Sequence, residues 1–293
     1  IINYIYMDTK SLSQKTVKIL SQKISINWLE PYKNTDTHKS IGTGFFINDD
    51  GYILTCSHVV AEAKKIHITI PNYGKEKIEV EIVGICPDLD LALLKTINFK
   101  NEDYYQLHET DIIYNINPGG DVYAIGFPLG QDNIKYTKGI ISGRQNTLIQ
   151  TDTPINRGNS GGPLLLDNKV IGINTSGILR ASNVGYATPI SYFHIIKDLL
   201  FNPGKNKMIK RPFLGLLYQK SNQALIDVVS PKCNSGIYVK KVFKNSPISK
   251  SGLKKGDIIQ SINNIEIDNF GFLNQEWFNE KITLSDYLKK IKN

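Results

Sequence analysis

The stretch Ile155-Asn-Arg-Gly-Asn-Ser160-Gly-Gly-Pro163 places one serine among three glycines. A serine hydroxyl is a weak nucleophile, and it needs a tight turn that exposes Oγ and directs backbone N–H groups at one point. Glycine permits that close approach of the backbone. Because similar glycine-rich segments also form ordinary turns, the stretch alone leaves a catalytic serine and a plain turn as alternatives.

A histidine and an aspartate earlier in the chain favour the catalytic alternative. His58 follows the run Tyr52-Ile-Leu-Thr55, and Asp90 directly precedes the apolar run Leu91-Ala-Leu-Leu94. A carboxylate beside such a strand is costly to bury without a partner. Taken singly, each residue would more often be structural. Together with Ser160 they occur in the order His…Asp…Ser, which is the order of the chymotrypsin barrel.

Short β-like runs dominate the chain from Ile41 to about residue 190. They are rich in β-branched and aromatic residues and end at Gly, Asn, Asp or Pro. The runs cover residues 44–47, 52–55, 66–70, 78–83, 121–125, 139–142 and 169–174. Such strands predict an antiparallel barrel or sandwich. Residues 191–200 have helical apolar spacing and predict a closing helix, whereas residues 12–20 fit either a short helix or a strand.

The second half of the chain predicts a separate, smaller domain. Residues 202–210 combine turn-forming and charged residues, which is typical of a domain boundary. We expect an N-terminal segment (1–30), a β-rich domain (31–201), a linker (202–211) and a small α/β domain (212–293). The small domain has predicted strands at 213–216, 236–240 and 257–263 and predicted helices at 246–253 and 284–291, with Ser285 as an N-cap.

Composition excludes several classes of protein. The 293 residues are 41% hydrophobic and 21% charged, which is ordinary for a globular protein. No apolar run approaches the roughly 20 residues of a membrane span, and the first six residues lack the features of a signal peptide. The three cysteines show no zinc-ligand spacing and favour free thiols in a reducing compartment. Residues 205–293 carry 16 basic and 7 acidic residues, so the net charge of +8 belongs to this basic segment.

The chain resembles the HtrA/Deg family of trypsin-like serine proteases that carry a C-terminal PDZ domain. The resemblance runs from about Val17 to the C-terminus and rests on the 155–163 stretch together with further motifs. These are Gly42-Thr-Gly-Phe-Phe-Ile47, Leu54-Thr-Cys-Ser-His-Val-Val60, Asp88-Leu-Asp-Leu-Ala-Leu-Leu94, Ala124-Ile-Gly-Phe-Pro128, Thr137-Lys-Gly-Ile-Ile-Ser-Gly143, Gln150-Thr-Asp152 and Gly172-Ile-Asn-Thr175. The resemblance implies a mainly β fold, with a trypsin-like double β-barrel followed by a small α/β PDZ domain.

The resemblance also implies roles for single residues. Ser160 would attack the scissile carbonyl, His58 would transfer the proton, and Asp90 would orient His58. Asp88 is a competing carboxylate, and Asp90 is preferred because it directly precedes Leu-Ala-Leu-Leu, as in the family motif. The backbone N–H groups of Gly158 and Ser160 would form the oxyanion hole.

Two binding sites are implied in the same way. The position six residues before the serine, which often lies at the base of the S1 pocket, is Pro154, so cleavage after Lys or Arg is not expected. Ile155, Thr175 and Ser176 suggest a small, mostly apolar pocket for Val, Ala or Ile. The loop Phe213-Leu214-Gly215-Leu216 resembles the carboxylate-binding loop of HtrA-type PDZ domains. The chain ends straight after the last helix, where the family continues with closing strands, which leaves a truncated PDZ domain as an alternative.

These implications give one principal expectation, an ATP-independent serine endopeptidase that cleaves unfolded or damaged proteins without a cofactor or metal. Its PDZ domain would bind peptide C-termini. The alternative is a chaperone-like or peptide-binding module in which proteolysis is minor. Nucleic-acid binding is not expected, since only the basic segment suggests it. The family resemblance implies a homo-oligomer, a trimer or a multiple of trimers, with Tyr4, Tyr6 and Trp28 as candidate contacts; the compartment is left open.

Overall fold

In a computed structural model of the chain, the described residues are 9–25, 29–30, 32, 36–109, 116–177, 183–275 and 278–290. The chain divides into two units, residues 1–210 and 211–293. Tyr4, Tyr6 and Trp28 lie outside the described residues. Within the described part of the chain, no helix is long and apolar enough to cross a membrane.

Six antiparallel strands close the first barrel. A short helix, α1 (Thr9–Lys15), precedes them, and a one-turn helix, α2 (Ser57–Val60), lies between the third and fourth strands. The strands are β1 (Thr16–Ser25), β2 (Asp36–Phe46), β3 (Tyr52–Thr55), β4 (Ala63–Thr69), β5 (Ile78–Cys86) and β6 (Leu91–Thr96). They pair in the closed order β1-β2-β3-β6-β5-β4. Leu91 to Leu94 are fully buried, which explains the unbroken apolar run in β6.

A second six-stranded barrel follows and ends in a helix. Its strands are β7 (Asp121–Gly126), β8 (Lys135–Gln145), β9 (Leu148–Thr151), β10 (Pro163–Leu166), β11 (Lys169–Gly177) and β12 (Gly185–Pro189). They close in the order β10-β11-β12-β9-β8-β7.

The double β-barrel predicted from the family resemblance is confirmed. Residues 12–20, which fitted a helix or a strand, are divided between α1 and β1.

The closing helix α3 (Ile190–Phe201) packs against strands of both barrels, β5 and β6 of the first and β11 and β12 of the second. Its buried residues Ile190, Phe193, Ile196 and Leu200 recur at helical spacing and join the core that both barrels share. At Gly84 in β5, a Cβ would lie 2.4 Å from the Leu200 carbonyl oxygen. Glycine is therefore required where the helix crosses the first barrel.

Within its described residues, the second unit has seven short strands, which form three antiparallel sheets, and two helices. These are β13 (Leu216–Gln219), α4 (Gln223–Val229), β14 (Ile237–Val242), β15 (Ile258–Ile259), β16 (Ser261–Ile262), β17 (Ile265–Glu266), β18 (Phe272–Gln275), β19 (Phe278–Thr283) and α5 (Leu284–Lys290). Its core consists of Ile237, Ile267, Leu273 and Leu284. β13 lies at the edge of the three-stranded sheet, in the order β13-β14-β15.

Several sequence-based predictions in this unit are wrong. The strand expected at 213–216 begins only at Leu216, because Gly215 has a φ of +85°, which no extended strand accommodates. The strand expected at 257–263 is split between two sheets, with β15 paired to β14 and β16 paired to β17. Of residues 246–253, only Pro247–Lys250 form a short 3₁₀ turn.

The N-cap of α5 is Thr283, not the predicted Ser285. The Asp286 N–H donates to Thr283 Oγ1 at 3.1 Å, and this hydroxyl donates to Asp286 Oδ2 at 2.7 Å. The pair forms a reciprocal cap of the Thr-x-x-acid type. The unpredicted helix α4 is likewise capped, because Asn222 Oδ1 accepts from the Leu225 N–H at 2.8 Å.

Candidate active site

His58 projects from the one-turn helix that follows the third strand. β3 ends at Thr55, and α2 begins at Ser57. The N–H of Ala61 donates to Ser57 O at 2.7 Å and closes this turn. The His58 side chain is 50% exposed, so the imidazole can meet both a partner side chain and a substrate.

Asp90 is aimed at His58 by its own backbone conformation. Its φ of 53° and ψ of 42° lie in the left-handed region, which aspartate tolerates better than most residues. The Asp90 N–H donates to Pro87 O at 3.1 Å, so a tight turn ends directly before β6. Asp88, the competing carboxylate, is exposed in the same turn. The structure therefore pairs His58 with Asp90.

The Asp90 carboxylate accepts hydrogen bonds from three residues. Oδ2 lies 2.8 Å from His58 Nδ1 and accepts from Thr175 Oγ1 at 2.7 Å. Oδ1 accepts from Ser57 Oγ at 2.8 Å and from the His58 N–H at 3.0 Å. Burial alone would raise the pKa of Asp90, but the hydrogen bonds and charge of His58, followed by the Thr175 hydroxyl, outweigh it and lower the pKa to about 2. Asp90 is therefore an anion at neutral pH.

Ser160 belongs to the second barrel and is held by Thr43 of the first. The Thr43 N–H donates to Ser160 O at 2.9 Å, and Thr43 Oγ1 donates to Gly158 O at 2.6 Å. The Ser160 hydroxyl donates to the carbonyl oxygen of Thr175 at 2.9 Å. Among the described residues, no hydrogen bond joins this hydroxyl to His58. The hydroxyl is thus directed at the backbone of β11.

The loop before Ser160 leaves two backbone donors free. Gly158 has a φ of +102°, and a Cβ there would lie 2.2 Å from Phe127 O, so only glycine fits. Asn159 N–H donates to Asn156 O at 3.0 Å. The N–H groups of Gly158 and Ser160 donate to no backbone acceptor within the described residues. Both are available to stabilise an oxyanion.

Comparison with known proteins agrees with this arrangement. Residues 42–173 match the family model for a trypsin-like peptidase domain, and residues 207–283 match the model for a PDZ domain. A probable periplasmic serine endoprotease DegP-like from Pseudomonas putida (strain W619) is 36% identical over 237 residues, which are 77% of this chain and 47% of that relative. This chain belongs to the HtrA/Deg family. A relative of the same description from Marinomonas sp. (strain MWYL1) is 37% identical over 246 residues, covering 80% of this chain and 50% of the relative.

This HtrA/Deg chain spans about half the length of the curated relatives that it matches. Among solved structures it is similar to one described as an HtrA-type protease AlgW with decapeptide. The TM-score is 0.71 at 25% sequence identity, and the match covers 87% of this chain and 85% of that chain. The predicted family membership is confirmed.

The candidate S1 residues of the HtrA/Deg chain lie around β11 and β12. Ile155 is 8% exposed, and its Cδ1 would lie 2.8 Å from a Cβ at Gly185. Ser176 pairs with Tyr186 across β11 and β12, and its side chain lies outside the described part. Pro154 is exposed. The structure thus brings Ile155 to the start of β12, next to the β11 strand that carries Thr175 and Ser176.

Cys56 lies directly behind the His58 and Asp90 pair. Its Sγ lies within 4.8 Å of a ligand atom of each, a spacing that could hold a metal ion. Burial, followed by the charge of Asp90, raises the pKa of this thiol well above its ordinary value. The thiol therefore stays protonated, and it donates to Asn174 O at 3.3 Å. The cluster does not offer the thiolate that a zinc site needs. Cys86 is also buried, and Cys233 is partly exposed.

In the second unit, hydrogen bonds to carbonyl groups hold the loop before β13. Gly215 is in the left-handed region, with a φ of +85°, and its carbonyl accepts from the Phe243 N–H at 2.8 Å. Leu214 O accepts from the Ile248 N–H at 3.2 Å. These bonds occupy the carbonyl groups of Leu214 and Gly215, while Phe213 is 61% exposed. Leu216 follows as the first residue of the edge strand β13.

The residues that hold His58, Asp90 and Ser160 in place were only partly predicted from the sequence. Thr175 was expected only to line a pocket, yet its hydroxyl binds Asp90. No role was predicted for Ser57 or Thr43. Ser57 directly precedes His58, and Thr43 lies between the two glycines of the motif that begins at Gly42. Lys23, whose Nζ donates to His58 O at 2.7 Å, carries no sequence pattern that indicates this contact.

Proposed function

We propose that this chain is an ATP-independent serine endopeptidase that cleaves unfolded or damaged polypeptides through an acyl-enzyme. The observation that carries the proposal is the bond between His58 Nδ1 and an ionised Asp90, which leaves Nε2 as the nitrogen facing the substrate. The relatives' names as serine endoproteases support the same reaction.

The reaction begins with rotation of the Ser160 hydroxyl away from Thr175 O towards His58. Ser160 Oγ then attacks the scissile carbonyl while His58 Nε2 takes its proton, and the carbonyl oxygen becomes an anion held by the N–H groups of Gly158 and Ser160. Collapse breaks the C–N bond, and His58 returns the proton to the leaving amine. Water, activated by His58 in turn, hydrolyses the ester. Asp90 orients the imidazole and stabilises its cationic form throughout.

The basic second unit would select substrates by their C-termini. β13 is an edge strand, so an extended peptide can add to its free side, and the N–H groups of the 213–216 loop can receive the terminal carboxylate. Relatives named periplasmic endoproteases and a structural neighbour described with a decapeptide agree with a peptide-binding protease. We further propose a trimer or a multiple of trimers, which a mass measurement in solution tests.

The decisive experiment for catalysis combines fluorophosphonate labelling with casein digestion. Ser160→Ala should abolish labelling and lower kcat by about 10⁶, and His58→Ala should lower kcat by a similar factor, because the two residues act as one unit. Ser142→Ala, an exposed serine on β8, is the matched control and should keep both signals. Residual activity near wild type in either variant would remove the triad assignment. Absence of labelling in the wild type would favour the chaperone-like alternative.

The experiment for the second unit compares peptides that end in an apolar residue with their amidated copies. Hydrogen bonds to a charged group contribute about 1.5–3 kcal/mol, so the free carboxylate should bind about 10–100-fold more tightly. Lysines near the loop should add an advantage for acidic upstream residues that disappears at high salt. Equal affinities of acid and amide peptides in a fluorescence anisotropy titration would argue against carboxylate capture.

A further inference from the structure

A cavity of about 470 Å³ lies beside the nucleophile loop, between the two barrels. Residues 38–41 of β2 and Lys23 of β1 form the wall from the first barrel. The second barrel supplies Leu129, Gly130, Arg157 and Gly158. None of the described side chains of the candidate S1 residues lines this cavity.

The cavity and the candidate S1 residues adjoin Ser160 through different strands. On one side, Ser160 Oγ donates to Thr175 O in β11, the strand of the S1 candidates. On the other side, Ser160 O accepts from the Thr43 N–H in β2. Residues 38–41, which line the cavity, directly precede this contact in the same strand. The cavity is therefore lined by the strand that binds the Ser160 carbonyl, whereas Thr175 and Ser176 lie on the strand that accepts from the Ser160 hydroxyl.

This position corresponds to the part of a substrate that leaves as the amine. In acyl transfer, the residue before the scissile bond occupies S1, and the departing amine receives its proton from the histidine. Lys23 Nζ donates to His58 O at 2.7 Å, so one wall of the cavity touches the backbone of the histidine. Gly158, an oxyanion-hole candidate, belongs to the opposite wall. A chain with its carbonyl in the oxyanion hole would pass the residues after the bond through this space.

The walls of the cavity are positively charged. Lys23, Lys39 and Arg157 line it together with His38, and none of its described lining residues is an aspartate or glutamate. Neither Lys39 nor Arg157 forms an ion pair with a described residue. Burial lowers the pKa of Lys23, with the charge of Glu62 opposing this. A guanidinium free to form two parallel bonds is suited to a carboxylate.

The loop that carries the second wall is fixed in place. Lys18, with a side chain only 9% exposed, donates to Gly130 O at 2.6 Å and to Asp132 Oδ1 at 3.0 Å. Leu129 N–H donates to Arg157 O at 2.5 Å and holds Leu129 at a φ of 56°. A leucine in the left-handed region is strained, and its side chain is 73% exposed beside the cavity. The loop thus places an apolar side chain at the rim of the basic cavity.

We infer that this cavity is a subsite for acidic residues at the first or second position after the scissile bond. The inference rests on the proposed peptidase function and adds a substrate class to it. Polypeptides with Glu or Asp directly after a small aliphatic residue would be cleaved faster than neutral or basic counterparts. The cationic side chains would contact the half of the substrate that leaves as the amine. They would therefore influence which peptide bond of a polypeptide is cleaved fastest.

The test uses internally quenched peptides that share valine before the bond and differ only in the two residues after it, as Glu, Gln or Lys pairs. The full-length protein should show kcat/KM for the Glu peptide about tenfold above that for the Gln peptide at low salt, with a smaller ratio at 0.5 M salt. Lys39→Gln should lower this ratio about threefold, and Lys39→Glu should reverse the order of the Glu and Lys peptides. Lys169→Gln, an exposed lysine at the start of β11, is the matched control and should leave the ratio as in the wild type.

The ratio separates this inference from the proposed function. Cleavage of all three peptides at equal rates, with normal fluorophosphonate labelling, would overturn the acidic subsite and leave the peptidase intact. An unchanged Glu-to-Gln ratio in both Lys39 variants would remove the role of the cavity even if the wild type prefers Glu. Absence of cleavage and of labelling would overturn the peptidase and, with it, the subsite.

Discussion

Replacing Thr175 with valine should destabilise the first unit by about 1.5–2 kcal/mol at neutral pH. Thr175→Val keeps the β-branched shape in β11 and the carbonyl that accepts from Ser160, but it removes the hydroxyl that donates to Asp90 Oδ2 at 2.7 Å. A hydrogen bond to a charged group contributes about 1.5–3 kcal/mol. The Asp90 side chain is 26% exposed, so water offsets part of the loss and the lower half of that range applies.

The loss should depend on pH, because it belongs to the ionised carboxylate. The pKa of Asp90 in the folded protein is about 2, below the ordinary value of about 3.9 for an unfolded chain. A depressed pKa gives stability that is complete above about pH 4 and is lost as the pH falls towards 2. Loss of the Thr175 hydroxyl raises the pKa of Asp90 in the folded variant towards its unfolded value. The difference in unfolding free energy between the two proteins should therefore be largest at neutral pH and should shrink as the pH falls through 3 towards 2.

Urea unfolding followed by circular dichroism at pH 7 and pH 3 measures this difference. Thr137→Val is the control, since Thr137 is partly buried on β8 and its hydroxyl makes no hydrogen bond to a described residue. The control should change the free energy of unfolding by less than about 0.5 kcal/mol. The reasoning would be refuted if Thr175→Val lost as little unfolding free energy as the control. A loss of equal size at pH 7 and pH 3 would refute it too.

Two further substitutions test packing and capping. Gly84→Ala should cost about 1–3 kcal/mol, because its Cβ would meet the Leu200 carbonyl at 2.4 Å, whereas Gly120→Ala, with its nearest atom at 3.5 Å, should cost far less. Thermal unfolding measures this difference, since Gly84→Ala should have the lower midpoint. Equal midpoints for the two variants would contradict the close approach of α3. Thr283→Ala should cost the second unit about 1 kcal/mol through loss of the α5 cap, and Ser285→Ala should not. If Ser285→Ala lowered the free energy of unfolding in urea more than Thr283→Ala does, Ser285 would be the N-cap, as the sequence predicts.

The barrels and the positions of His58, Asp90 and Ser160 could be predicted because the patterns that encode them are local. β-branched runs mark strands, and the glycines around Ser160 mark a turn that brings the backbone close. Thr175 could not be assigned to Asp90 in this way, since 85 residues separate the two and only the packing of the second barrel against the first brings them together. Its apparent role as a pocket residue came from the family resemblance alone.

The second unit shows why local patterns also mislead. Residues 213–216 form an apolar run that predicts a strand, but the positive φ of Gly215 turns the chain before β13 begins. Helix α4 ends in Asp-Val-Val, and β-branched residues weaken a helical pattern that the Asn222 cap and the burial of Ile226 support in the folded unit. In both cases a tertiary requirement outweighs the intrinsic preference of the residues.

The division of the candidate triad between two barrels has a consequence for biosynthesis. His58 and Asp90 belong to the barrel that is complete by residue 96, whereas Ser160 becomes fixed only when β12, ending at Pro189, closes the second barrel. Domains emerge from the ribosome and fold in order from the N-terminus. A growing chain therefore carries the strands around His58 and Asp90 for roughly another hundred residues before Ser160 is positioned. Under the proposed function, the nascent chain and its neighbours on the polysome would meet a complete triad only after the second barrel has closed.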